Sequence, residues 1–503
     1  MQGAATPHAV LQIFSQVVSI ASPRVYPQMK QKLVVMKFGG TSVGDAACIA
    51  RTVRISAEAS RESAVVVVVS AMSGVTNKLI EAANRSEAGQ REEAVALIEL
   101  LRKQHETAIV ALIPDETKRR RLLERTEETL AEAKRLCEGT ALLRELTPRT
   151  LDLISSLGER LSAPMVAAAL AEAGVASEAI EATELIVTDS YHGGAEPIMD
   201  RTRERSEARL RPLLAKHMVP VVTGFIGASA EGVLTTLGRG GSDYSATILG
   251  AALGADEVII WTDVDGVLTA DPRQVPEATV IPEISYREAA ELAYFGAKVL
   301  HPKTLRAVAP AKIPVWIRNS FAPERPGTKI AAKNEASNGG VKALTAISDV
   351  SLIAVGGPGI IGLPDVVGRT FSTTSEVRAS VLLISQSSSQ NDICFIVASG
   401  DAKRTVEALR QQFAQDLAHE KVEHITLDPN IAIVAVVGEN MRGTVGMAGR
   451  TFSVMGREGV NIIAIAQGSS ETNISFVVDQ KDMKRALHAL HQEFRLHALR
   501  AHV

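Results

Sequence analysis

The 503-residue chain is poor in cysteine: Cys48, Cys137 and Cys394 stand far apart, with no CxxC or Cys/His pattern. That spacing excludes a disulfide framework and a structural zinc site, and it fits a reducing cytosol. A surplus of one charge is also lacking, with 54 Lys and Arg against 57 Asp and Glu and a formal net charge of -3. A nucleic-acid partner would call for a basic face. The one basic run, Lys118 to Arg121, lies among Asp115, Glu116 and Glu124 and reads as a solvated helix face.

Long apolar runs are absent too, since a membrane-spanning helix needs about 18 to 20 such residues. The best candidate, Ala9 to Ala21, is broken by Gln12, Ser15, Gln16 and Ser19, and no basic side chain except His8 precedes it until Arg24. This is neither a span nor a secretory signal, so a cytoplasmic protein is expected. Residues 1–32 read as an N-terminal extension, with Met29 an alternative start. No metal-ligand constellation is seen. His488, His491, His497 and His502 read as a solvated terminal helix, because no Cys or carboxylate set joins them.

What is present is an ordinary globular composition, 46% hydrophobic and 22% charged, long enough for two to four domains at roughly 100–200 residues each. Runs at Leu33 to Phe38, Val65 to Val69, Val219 to Thr223 and Val258 to Trp261 alternate with helical stretches. They predict an α/β fold, a largely parallel sheet covered on both faces. Residues 89 to 146 show helical apolar spacing.

The texture changes at Ala322 to Thr328 and again at Lys333 to Gly340, and a linker is placed at 321–343, after a first domain at 33–320. A repeat follows. Gly368-Arg369-Thr370-Phe371-Ser372 recurs as Gly449-Arg450-Thr451-Phe452-Ser453, and Ile384 to Ser389 recurs as Ile465 to Ser470, both 81 positions on. Two copies of one small α/β module are implied, at 344–424 and 425–503. The segment after Lys481 is compatible with either. Gly357 to Gly362 matches GxGxxG, but Pro358 inside the turn and Asn440 at the second copy's centre make it a strand-to-helix loop rather than a dinucleotide site.

Four clusters in the first 320 residues carry chemistry, each just after an expected strand, where open parallel sheets hold their ligands. In Lys37-Phe38-Gly39-Gly40-Thr41-Ser42-Val43-Gly44 the paired glycines free backbone N–H groups for a phosphate, Lys37 adds fixed positive charge and Ser42 a hydroxyl. It is not a Walker loop, where the lysine follows the glycines. Gly238-Arg239-Gly240-Gly241-Ser242-Asp243 sets a fork donor between glycines, with Asp243 either a helix cap or a reactive carboxylate. Trp261-Thr262-Asp263-Val264-Asp265-Gly266, followed by Asp271-Pro272-Arg273, fits a ribose, magnesium or a turn. Ser156 to Ser162 holds Glu159 in a helical pattern. Together they read as phosphoryl transfer, which rests on positioning and charge neutralisation.

These motifs, with Val69 to Leu79, Pro220 to Gly227 and Phe295 to Leu305, together resemble the aspartate kinases of the amino acid kinase family over residues 33 to 503. The repeated tail resembles their paired ACT regulatory domains. The resemblance implies an αβα sandwich followed by two βαββαβ modules, and ATP- and Mg2+-dependent phosphorylation of L-aspartate. It implies Lys37 and Asp243 at the reaction centre, Thr76, Glu159, Arg239 and Ser242 around aspartate, and Phe38, Gly39, Gly40, Ser42, Thr262, Asp263, Arg273 and Lys298 around the nucleotide. Leu268 stands where many members carry an aromatic. Gln386 and Gln467 would meet an effector, threonine or lysine or both, and the ACT modules would build a homodimer or homotetramer. With no homoserine dehydrogenase segment before Val503, the expected protein is monofunctional. Two alternatives stand beside this reading: another amino acid kinase acting on glutamate or acetylglutamate, and a catalytically silent amino acid sensor.

Overall fold

The β-branched runs form the strands expected of them. The computed structural model describes residues 31–295, 300–332, 340–357, 364–386, 392–441, 443–468 and 472–498. In chain order, β1 (Lys32–Phe38), α1 (Ala46–Ser60), β2 (Ser63–Val69), α2 (Val75–Glu87), α3 (Arg91–Leu112), α4 (Glu116–Leu143) and α5 (Pro148–Glu172) come first. Next are β3 (Ser177–Ile180), β4 (Val187–Thr188), α6 (Met199–Ala215), β5 (Val219–Thr223), β6 (Ile226–Ser229), β7 (Leu234–Thr236), α7 (Gly241–Leu253) and β8 (Glu257–Thr262). Then follow β9 (Glu283–Ser285), α8 (Tyr286–Tyr294), β10 (Val315–Asn319) and β11 (Thr328–Ala331). Of the expected extension, residues 1–30 lie outside the described residues.

The first unit is built on an eight-stranded sheet in the order β3-β5-β2-β1-β8-β10-β11-β9, parallel throughout except between β10 and β11. Val65 to Val69 are all 1% exposed or less, as a strand covered on both faces demands. Helices α1, α4 and α5 start where short polar side chains cap them: Asp45 accepts from Cys48 N, Asp115 from Lys118 N and Thr147 from Thr150 N, with Pro148 in the first turn of α5. Part of the stretch expected as a linker is β11, which pairs with β9 and β10. Turn residues at 322–327 only bend the chain back into its own sheet.

The second unit holds β12 (Ala343–Gly356), α9 (Pro364–Glu376), β13 (Val381–Gln386), β14 (Asp392–Ala398), α10 (Ser399–Gln412), α11 (Ala414–Ala418), β15 (His424–Val437), α12 (Met447–Arg457), β16 (Ala464–Ala466), β17 (Asn473–Asp479) and α13 (Met483–Glu493). Its sheet runs β13-β14-β12-β15-β17-β16. The 81-residue repeat reappears in the contacts. Phe371 meets Phe395 edge-on at 5.6 Å as Phe452 meets Phe476 at 5.9 Å, and Arg369 lies over Phe413 as Arg450 lies over Phe494.

The modules are not consecutive, however. Ala343–Ile347, the first half of β12, pairs with Ile433–Val437 and so supplies the outer strand of the second module, while Ile425–Asp428 does the same for the first. Leu344 accordingly packs with Val436, Phe476 and Leu487 in the second module's core. The segment after Lys481 joins that same core through Leu487, Leu490 and Leu496.

Two stretches that precede the repeat in sequence, Leu268–Ile281 and residues 287–295, also belong to the second unit. Ala270 and Val275 enter the second module's core, and Thr269 Oγ1 lies 3.0 Å from His491 Nε2. The expectation of solvated C-terminal histidines is therefore corrected at His491, which is 1% exposed. Among the described residues no helix is long and apolar enough to cross a membrane.

Candidate active site

Four neighbouring strands end in step. Phe38 is paired with both Val69 and Trp261, and Val69 with Thr223. The next residues continue the ladder: Gly39 N donates to Trp261 O at 3.1 Å, Ser70 N to Phe38 O at 3.1 Å and Gly224 N to Val69 O at 2.8 Å. Their loops are thereby brought side by side at the carboxyl ends, on either side of β1, where the chain order reverses. There they enclose a groove of about 790 Å³ walled by the loops after β1 and β2, the start of α7 and one face of α5.

Alternation along β1 turns Lys37 towards this groove. Its Nζ lies 2.5 Å from Asp243 Oδ1, with both side chains largely buried. Asp243 is in the first turn of α7, which starts from Gly240 at φ 71°. A side chain there would be strained, and its Cβ would sit 2.6 Å from His301 Cβ. The glycine lets the positive end of α7 open on the groove.

Glu159 lines the groove from α5 and is 3% exposed. Burial pushes its carboxyl up to about 8, with the Ala71 backbone, Lys37 and Ser242 holding it back in part. Among the described residues its Oε2 has no hydrogen-bond partner. Across the groove Arg239 is exposed on the loop before α7, and among the described residues no ion pair engages it. Thr76, Ser242 and Thr262 complete the lining.

Comparison with known proteins fits this geometry. Residues 32–319 match the model of the amino acid kinase family, and 353–413 and 434–494 match an ACT domain. Aspartokinase 1, chloroplastic, of Arabidopsis thaliana is 34% identical over 472 residues, covering 92% of this chain and 80% of that protein. The chain belongs to the amino acid kinase family, among its aspartokinases.

A bifunctional aspartokinase/homoserine dehydrogenase 1 of Arabidopsis thaliana is 36% identical over 468 residues, covering 92% of this chain and 51% of the relative. The chain thus spans about half the length of the bifunctional relatives it matches. Among solved structures, E. coli aspartokinase III in complex with aspartate and ADP superposes with a TM-score of 0.76 at 31% identity, covering 92% of this chain and all of that one. The same enzyme with lysine and aspartate gives 0.76 as well.

Of the residues expected at the site, this kinase domain brings Lys37, Gly39, Gly40, Thr76, Glu159, Arg239, Ser242, Asp243 and Thr262 to one groove. Others it does not. Phe38 points the opposite way from Lys37 and stacks on Trp261 in the core, ring centroids 6.1 Å apart. Ser42 turns inward within a 3-10 turn, its hydroxyl 2.8 Å from Ser320 Oγ. Asp263 is exposed and accepts from Thr262 Oγ1 at 3.2 Å. Arg273 belongs to the second unit and forms an ion pair with Asp271 on its own loop at 2.6 Å. Leu268 heads that same segment, bridged to Val280. Lys298 and the GxGxxG positions after Gly357 lie outside the described residues. Gln386 and Gln467 are exposed, near the ends of β13 and β16, strands joined by a bond from Ser385 Oγ to Ile465 O at 3.2 Å.

Among the wall residues given no role from the sequence are Asp152 on α5, Gly193 on a loop, Thr236 on β7 and Phe225, which stands at φ 70° with its N–H donated to Ser245 Oγ. Asp152 had a signal, a carboxylate seven positions before Glu159 and hence on the same helix face.

Proposed function

We propose that the chain transfers the γ-phosphoryl group of ATP to the β-carboxylate of L-aspartate, giving 4-phospho-L-aspartate and ADP, the first step towards lysine, threonine and methionine. The observation that carries this is the pairing of unlike anchors in one groove: an unengaged guanidinium at Arg239 and a buried, unpartnered carboxylate oxygen at Glu159. A small zwitterion supplies a carboxylate for the first and an ammonium for the second. The E. coli relative's complex with aspartate and ADP supports the same choice.

The nucleophile is already an anion, so no base is needed. A bond forms between a β-carboxylate oxygen and the γ-phosphorus while the bond to the bridging oxygen breaks and leaves with ADP. The barrier is the meeting of two anions, and neutralisation lowers it. Lys37 Nζ, the Gly40 N–H group and the N-terminus of α7 do so, the Gly39 N–H being already given to Trp261 O. Thr76 and Ser242 shape the aspartate side and Thr262 the nucleotide side. Magnesium usually takes one or two carboxylates and otherwise phosphate oxygens and water. Asp243 fits that part, and the ion would neutralise phosphate charge.

Feedback control belongs to the same reading, with an amino acid such as lysine or threonine held at Gln386 and Gln467; lysine accompanies the E. coli relative's T-state. Assembly through the ACT modules, as a dimer or tetramer, would cover Ile384 and Ile465, which β13 and β16 leave 50% and 45% exposed. A silent sensor would have no need of the Lys37–Asp243 pair. The test is ADP release with ATP and Mg2+, L-aspartate against L-glutamate. Aspartate-dependent release is expected. Release with glutamate alone, or none with folded, ATP-binding protein, contradicts the proposal.

A further inference from the structure

Glu159 and Arg239 stand on different elements, and a zwitterion of fixed length can reach both only if their spacing is fixed. One buried carboxylate between them links the two. Asp152, two turns before Glu159 on α5, is 2% exposed at the groove wall. Its Oδ1 accepts from Thr236 Oγ1 at 2.6 Å and Gly193 N at 3.1 Å. Its Oδ2 accepts from His192 Nδ1 at 2.8 Å, Gly193 N at 3.1 Å and Thr236 N at 3.3 Å.

These donors belong to the loop at His192–Gly193 and the end of β7, which are themselves joined by Ala195 N donating to Thr236 O at 2.8 Å. The loop carrying Arg239 rests on them. Gly238 stands at φ 78°, and a Cβ there would lie 2.9 Å from Gly193 O and 3.2 Å from Gly194 Cα. A line of short contacts thus runs from Glu159 along α5 to Asp152, across Gly193 to Gly238 and on to Arg239. With both oxygens already held by several donors, Asp152 is poorly placed to take a metal or an ammonium.

We propose that Asp152 is a positioning residue for aspartate: by fixing the groups that receive the α-ammonium and the α-carboxylate, which aspartate and glutamate present alike, it sets where Cα is held and so which side-chain length brings a carboxylate to the phosphoryl group. This rests on the reading of Glu159 and Arg239 as the anchors of aspartate. Asp152→Asn turns an NH2 group towards donors, and Thr236→Val removes the shortest of the bonds while leaving the carboxylate in place.

The experiment is steady-state kinetics on the full chain carrying D152N, T236V or R239K, with aspartate, glutamate and ATP varied in turn and Tm recorded. D152N is expected to raise the aspartate KM roughly ten- to hundredfold and T236V about three- to tenfold, as expected when buried donors are left unpaired. The ATP KM stays within about twofold, and the preference for aspartate over glutamate falls in both variants. Should D152N fail to fold, T236V carries the test. If R239K raises the aspartate KM but folded D152N or T236V leaves it and the glutamate preference unchanged, the positioning role is overturned alone. A joint rise of both KM values with a lowered Tm also overturns it. An unchanged aspartate KM in R239K overturns the anchor reading beneath it.

Discussion

At the scale of single residues, the groove joins groups that elsewhere would be destabilising. Glu159 is a carboxyl in a buried setting with one oxygen unpaired, and burial drives it up to about 8. In the empty groove it therefore holds its proton at neutral pH, whereas an incoming ammonium favours the ionised form. Binding aspartate should release that proton. The aspartate KM is expected to rise as pH falls below about 8, by at most about tenfold per unit, and Glu159→Gln should flatten the profile while raising the KM overall. Stability runs the other way. A carboxyl raised above its unfolded value of 4.5 favours the fold while protonated, so that contribution is lost as pH climbs towards 8. Thermal melts of Glu159→Gln should show a higher Tm than the parent at pH 8 and no advantage near pH 5, the exchange of stability for function that buried binding groups make. A Tm gap independent of pH would contradict this.

Which residues reach the groove was legible in the sequence only as far as the motifs reveal side-chain direction. The glycine loops were found because they follow apolar strands, and Arg239 because glycines flank it. The side chains of Phe38 and Ser42 fall outside the groove because a motif names neighbours together, whereas a strand sends Lys37 and Phe38 to opposite faces and a 3-10 turn aims Ser42 at Ser320. Asp152 was passed over because its donors lie 40 and 84 positions away.

At the scale of elements, short-range pattern was enough for the strands and for the repeat, but not for their partners. An apolar run shows that a strand exists, and pairing is decided by register across a hundred residues. The second module accordingly borrows its outer strand from Ala343–Ile347, ahead of the first module. Leu344, 2% exposed and paired with Val436, tests this. Leu344→Ala should cost about 2–5 kcal/mol locally. Hydrogen exchange should then quicken at Ile431–Val437 and Asn473–Asp479, with Asp392–Ala398 much less affected. Faster exchange confined to Asp392–Ala398 would place Leu344 in the first module instead.

At the scale of the whole molecule, the chain path links the kinase unit to the unit proposed to hold an effector. Five residues after Thr262 the backbone leaves the kinase unit, and Leu268–Ile281 is held in the second unit by Val275 in the core and by Thr269 against His491. A change in the second module therefore has a covalent route to the end of β8. Removing the hydrogen bond with Thr269→Val should change the amino acid concentration that half-inhibits turnover by about three- to tenfold, within the usual range of coupling energies. Turnover without effector should change far less. Equal loss of both would point to a structural role for Thr269.

The central claim is that the groove phosphorylates the β-carboxylate of aspartate, and the product's own chemistry tests it most directly. An acyl phosphate reacts with hydroxylamine, so ATP, Mg2+, L-aspartate and hydroxylamine are incubated with the full chain and the hydroxamate is identified by mass against ADP released. The account predicts β-aspartyl hydroxamate in step with ADP, both falling about 10²- to 10³-fold in Lys37→Met, the loss expected when one preorganised charge is removed from the transition state. ADP without aspartyl hydroxamate, or hydroxamate formation unaffected by loss of Lys37, would contradict it.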